Sequence, residues 1–235
     1  MNAPTGTDRR ERLTRALLAA FLVACAVDLV AVLGDVRIAA LVAKPLLMPL
    51  LAGYAAARGG PRLLVAALLF GWGGDVFLML DGDLAFLLGM GSFAVGHVCY
   101  LWLFGRARSS LAAAVAYAVV LAAAIALLWP GLPAELRIPM VGYSLLLTAT
   151  AYRAGVLGRY AAVGGALFLL SDALIAVGVA DWPALPAHGF WIMLTYIAAQ
   201  FLLTAGALAP GTHPWPRAPW VRASAGAPEP ETPRP

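Results

Sequence analysis

The chain has 235 residues, of which 62% are hydrophobic and 12% charged, with a formal net charge of +4. Soluble domains carry about 25% charged and 45–50% apolar residues. The composition therefore argues against a water-soluble enzyme, a nucleic-acid binder or a disordered chain, and for a polytopic membrane protein.

A hydrocarbon core about 30 Å thick needs roughly 20 apolar residues in helical form. The sequence offers eight such runs, at about 15–33, 37–57, 62–80, 84–104, 110–129, 138–153, 160–180 and 188–208. The sixth is short and is predicted to begin nearer Glu135. Turn formers and charges mark the breaks: Gly34-Asp35, Arg58-Gly59-Gly60-Pro61, Asp81-Gly82-Asp83, Gly105-Arg106, Pro130-Gly131 and Asp181-Trp182-Pro183. Connections this short leave no room for an extramembrane domain. The expected fold is all-α: a bundle of eight transmembrane helices over residues 15–208. It is flanked by a cytoplasmic segment (1–14) and a disordered, proline-rich cytoplasmic tail (209–235).

Charge sets the orientation. Thirteen of the fifteen arginines fall on the side of the termini, and only Arg37 and Arg137 fall on the other, with Asp35, Asp81, Asp83, Glu135 and Asp181. The positive-inside rule then puts both termini in the cytoplasm. Arginine in place of lysine, with abundant alanine, suggests a GC-rich bacterium and hence a multi-pass protein of the bacterial inner membrane. Leu22-Val23-Ala24-Cys25 after Arg9-Arg10 imitates a processed leader, but the apolar run continues to Leu33. No cleavage is expected there. Trp215 and Trp220 are expected at the headgroup level.

Asp28, Lys44, Asp75, His97 and Asp172 lie inside the apolar runs. A charged residue near the bilayer centre costs at least about 2.5–3.5 kcal/mol on insertion scales, so each should face the bundle interior. Counted from the cytoplasmic end of its run, Asp28, Lys44, Asp75 and Asp172 are twelve or thirteen residues deep, at about 18–20 Å. Shared depth on four helices predicts one shared site. His97 is seven residues from Phe104, at about 10 Å, the depth of a supporting residue. Asp75 follows Gly71-Trp72-Gly73-Gly74, where a neighbouring backbone or a lipid chain can approach closely. Pro45 follows Lys44 directly and Pro49 comes one turn later; they free backbone carbonyls and are expected to kink the second span beside the lysine. Phe70–Asp75 also lies loosely on Leu167–Asp172, and Phe93, Gly96 and His97 on Tyr196, Ala199 and Gln200, hinting at a four-plus-four duplication.

With one histidine well inside the spans, no His-rich metal site is expected. Neither a nucleophile elbow nor a phosphate-cradling loop occurs. Two carboxyls and a lysine remain. Paired carboxyls in a low-dielectric cavity are not expected both to ionise, so one can act as an acid while the other steadies a cation. That chemistry suits acetals and enol ethers.

Lys44-Pro45-Leu46-Leu47-Met48-Pro49, Gly74-Asp75, Phe93…Gly96-His97…Tyr100, Leu170-Ser171-Asp172 and Tyr196…Gln200 together resemble, in order over about residues 37–205, the YhhN family of membrane lysoplasmalogenases. The resemblance implies hydrolysis of the vinyl-ether bond of lysoplasmalogens to a fatty aldehyde and glycerophospho-ethanolamine or -choline. It implies catalytic Asp75 and Asp172, and acid–base chemistry on two carboxyls calls for no cofactor and no metal. The partners are a lysophospholipid substrate and membrane lipids, with no nucleic acid. Lys44, His97, Tyr196 and Gln200 become supporting or substrate-binding residues, with Lys44 expected to pair with a carboxylate. Asp28 has no counterpart in the family and joins the site on depth alone. A proton-coupled transporter would use the same midplane Asp and Lys residues, and would move its substrate without breaking a bond. A lipid-binding or assembly protein would use these charges only to lock its helices.

Overall fold

The computed structural model describes residues 6–107 and 110–209. Within them the chain forms eight α-helices: α1 (Gly6–Leu33), α2 (Arg37–Ala57), α3 (Arg62–Phe77), α4 (Asp83–Phe104), α5 (Leu111–Leu128), α6 (Ala134–Ala154), α7 (Arg159–Val179) and α8 (His188–Leu208). A single 3-10 turn, Gly155–Leu157, links α6 to α7, and no strand occurs among the described residues. The tail beyond residue 209, with Trp215 and Trp220, lies outside them.

Six helices are long and apolar enough to cross a membrane: α1, α2, α4, α5, α7 and α8. The other two fall short for different reasons. Helix α3 has only 16 residues because the chain then tightens into a turn, in which the Met79 and Leu80 N–H groups donate to the Val76 and Phe77 carbonyls three residues back. Helix α6 is long enough but carries Glu135, Arg137, three threonines or serines and Arg153. The whole is a multi-pass helical bundle.

Turn chemistry explains the breaks. Asp35 and Asp181 both take left-handed backbone conformations, with φ of 53° and 54°, which short polar side chains tolerate better than most. Helix α2 runs unbroken through Pro45 and Pro49.

Small residues set the tightest crossings, the usual solution where lipid removes the hydrophobic drive between helices. A Cβ on Gly164 would lie 2.9 Å from the Ala199 carbonyl oxygen, and one on Gly206 would lie 3.0 Å from the Ala161 nitrogen. These positions zip α7 onto α8. Gly96 likewise lets α4 approach the Ala67 carbonyl of α3, at 3.1 Å from the built Cβ.

Helix ends pair as an up-and-down chain requires. Arg10 Nε donates to the Ala57 carbonyl at 2.7 Å, and a Cβ on Gly60 would meet Leu208 at 3.0 Å. The start of α1 and the end of α8 thus share one end of the bundle. At that end Arg153 of α6 donates to the Gly105 carbonyl at 2.7 Å. At the opposite end, Gly131 abuts the Ala180 backbone, and Leu132, Leu136, Met140, Met90 and Ala180 form a second, smaller core.

Candidate functional site

Three helices present polar or aromatic residues to the centre at one-turn spacing, which stacks them on one face. They are Phe93, His97 and Tyr100 on α4, Phe168 and Asp172 on α7, and Tyr196 and Gln200 on α8. Asp75 enters from α3, one turn after Gly71.

Two hydrogen-bonded chains result. In the first, Tyr196 donates its hydroxyl to Asp75 Oδ2 at 2.8 Å. Gln200 Nε2 donates to the Tyr196 oxygen at 3.4 Å, and Tyr100 donates to Gln200 Oε1 at 2.6 Å. All four side chains are buried. In the second, Tyr143 of α6 donates its hydroxyl to Asp172 Oδ2. His97 Nε2 lies 3.3 Å from that hydroxyl, whose one proton already points at the carboxyl, so the imidazole is the donor here.

Rings join the chains. Phe93, Phe168 and Tyr196 meet edge to face with centroids 5.5–6.2 Å apart, and His97 stands 4.7 Å from Phe168. The two carboxyls lie within electrostatic reach of each other, with no direct hydrogen bond between them.

A cavity of about 130 Å³ opens beside this cluster, between α4, α5, α6 and α7. Its wall is apolar: Phe86, Met90, Phe93, Leu121, Ile125, Leu147 and Ile175 among others. Its polar side chains are Tyr143, Ser144 and Asp172. Asp75 is not in the lining. Helix α5 closes one side loosely; it buries none of its residues, and it packs chiefly on α6 and α7.

The glycines before Asp75 admit both a neighbouring backbone and side chains: a Cβ on Gly89 of α4 would lie 3.2 Å from the Gly74 carbonyl oxygen, and one on Gly96 would lie 3.7 Å from the Gly71 nitrogen. A Cβ on Gly71 would meet Gln200 Nε2 at 3.1 Å and the Tyr196 hydroxyl at 3.3 Å. One on Gly74 would run into the Phe93 ring. Gly74→Ala is therefore expected to displace Phe93 and to cost about 1–3 kcal/mol by overpacking. A fall in the detergent-phase melting temperature checks this; an unchanged value would show that Phe93 yields freely.

Two candidates stand apart. Asp28 is fully buried on α1, and neither of its oxygens has a hydrogen-bond partner. Helix α1 packs chiefly on α2 and α8; Asp28 joins neither hydrogen-bonded chain, though its charge acts on Asp75. Lys44 on α2 is half-buried and its charge acts on Asp28 and Asp75. Among the described residues the one ion pair within 4 Å is Arg15–Glu11, so Lys44 holds no carboxylate in a direct salt bridge.

A sequence model of the YhhN family matches residues 39–207. The chain belongs to the YhhN family. It is 34% identical over 208 residues to the lysoplasmalogenase TMEM86B of Rattus norvegicus, covering 85% of this chain and 88% of the relative. It is 36% identical over 152 residues to TMEM86B of Homo sapiens, covering 64% and 65%. It is 33% identical over 159 residues to the lysoplasmalogenase of Mycobacterium bovis, covering 62% and 60%. No solved structure matches the chain.

In this YhhN protein the residue that sequence reasoning missed is Tyr143. It lies ten residues before Arg153, about 15 Å deep, close to the depth read for Asp172. A buried tyrosine hydroxyl usually finds a partner, and that rule applied at this depth points to Asp172. Tyr100 belongs to the quoted motif but gains its role only through Gln200.

Proposed function

We propose that this chain is a multi-pass lysoplasmalogenase of the bacterial inner membrane, both termini cytoplasmic, that hydrolyses the vinyl ether of a single-tailed phospholipid to a fatty aldehyde and a glycerophospho-alcohol. The observation that carries the reading is one ionisable carboxyl, Asp172, in the wall of an otherwise apolar cavity, in a chain whose relatives bear that activity's name.

Asp172 is the general acid. Tyr143 engages Oδ2, which leaves Oδ1 to carry the mobile proton. That proton goes to the vinyl carbon remote from the ether oxygen, and the double-bond electron pair forms the new C–H bond. Positive charge develops on the carbon bearing oxygen. Asp75, held by Tyr196 and within electrostatic reach across the rings, steadies that oxocarbenium. Water adds to the cation and returns a proton to Asp172. The hemiacetal then breaks its C–O bond to glycerol as its hydroxyl proton passes to the departing oxygen, giving alcohol and aldehyde with no cofactor or metal in the balance. Gln200, Tyr100 and His97 fix the two tyrosines, and Lys44 contributes positive charge on the Asp75 side.

Detergent-purified full chain incubated with lysoplasmenyl-ethanolamine and with its ester-linked counterpart tests the reading. Aldehyde from the first and no product from the second is expected. No aldehyde from the vinyl ether, or transport across sealed vesicles without cleavage, would refute it.

A further inference from the structure

The two cations at the end of the bundle away from the termini are Arg37 and Arg137. Helix α2, which carries Arg37, forms no part of the cavity wall, so Arg137 is the one cation at this end on the elements that build it. Its helix carries the connection. Met140, Val141 and Ser144 follow it by three, four and seven residues, and all three line the cavity. Arg137 therefore stands at the outer end of the same helical stripe. Ser144 at the inner end is next to Tyr143, the donor to Asp172.

The guanidinium is positioned but not neutralised. Nε donates to the Leu132 carbonyl at 3.1 Å, and the group sits 5.2 Å over the Trp129 ring. Leu132 belongs both to the cavity wall and to the small core that fixes this end. Among the described residues the terminal amino groups of Arg137 meet no acceptor, and no carboxylate pairs with it. Such a fork, with its two outer donors unclaimed, matches a phosphate better than any neutral group. Exposed Asp81, Asp83, Glu135 and Asp181 occupy the same end. One half-buried arginine among exposed carboxylates suits a zwitterion whose phosphate meets the arginine and whose ammonium meets the acids.

We propose that Arg137 binds the phosphate of the lysolipid, holding the head group at the α5–α6 end of the cavity so that the ether reaches Asp172. The inference rests on the vinyl-ether reading above. The stripe from Arg137 to Ser144 rises about 10 Å; the glycerol unit and the reach of the arginine stem together span that interval. The tail then leaves along the loosely held α5. A bulk lipid phosphate has the same chemistry, and the test separates the two sources.

The full chain is assayed for aldehyde on lysoplasmenyl-ethanolamine and on the phosphate-free 1-alkenylglycerol, as wild type, Arg137→Gln and Arg137→Lys. Losing a charge-assisted phosphate contact should cut the kcat/KM preference for the phospholipid about tenfold in Arg137→Gln, with the change in KM. Arg137→Lys should fall between, since it keeps charge without the fork. An unchanged preference, or an equal loss on both substrates, would overturn the proposal and leave Arg137 as an anchor to bulk lipid. Wild type that cleaves neither substrate would overturn the vinyl-ether reading itself, and the head-group assignment with it.

Discussion

Asp172→Asn is expected to lower kcat for aldehyde release by about 10³-fold or more, with KM within a few-fold of wild type. General acid catalysis contributes about 10²–10⁴-fold, and an amide cannot deliver the proton that generates the oxocarbenium. Asparagine keeps the shape and can still accept the Tyr143 hydroxyl through its amide oxygen, so the fold should persist. Removing an ionisable group from the interior of a membrane bundle is more apt to raise than to lower stability. Steady-state kinetics together with a melting curve on the same preparation checks both halves. A folded Asp172→Asn protein with near-normal turnover would remove the acid role from this residue.

Asp75→Asn is the second large effect, and it should be smaller. Asp75 lies outside the cavity lining and acts on the developing cation by charge alone. Loss of one preorganised electrostatic partner costs about 10²–10³-fold in kcat. Asparagine at 75 should still accept from Tyr196, leaving the Tyr100–Gln200–Tyr196 chain intact. The discriminating feature is the ranking: Asp172→Asn below Asp75→Asn in kcat. Asp75→Asn as the more damaged variant would reverse the roles, and two equal, complete losses with unfolding would make both carboxyls structural.

The spans were legible because membranes tie helix length to apolar length. Helices α2 and α8 fall on the predicted 37–57 and 188–208, where charged turns sit directly against apolar runs. Helix α1 begins at Gly6, well before the expected 15, because hydropathy marks where lipid begins and the arginine-rich stretch before it is also a good helix former. Helix α3 stops at Phe77 and not at 80; Met79 and Leu80 are apolar but form a turn, which hydropathy cannot distinguish from helix.

The site was legible only in part, for a related reason. Asp75 and Asp172 announce themselves because charge in hydrocarbon is costly. Tyrosine is not costly there, and so Tyr143 gave no such signal. Shared depth grouped Asp28 and Lys44 with the two aspartates, and their charges do act on Asp75, but depth says nothing about which faces of neighbouring helices meet. The cavity was invisible to sequence because it depends on how α5 sits against α6 and α7 and on the α4 side chains that face it.

Cleavage of lysoplasmenyl-ethanolamine by the wild-type protein in H₂¹⁸O bears most directly on the carbocation chemistry assigned to Asp172. If water adds to the vinyl-ether carbon, the released glycerophosphoethanolamine keeps its original oxygen and shows no mass increase. Heavy oxygen in its glycerol hydroxyl would mean that water attacked the glycerol carbon, and the acid-catalysed route would be wrong.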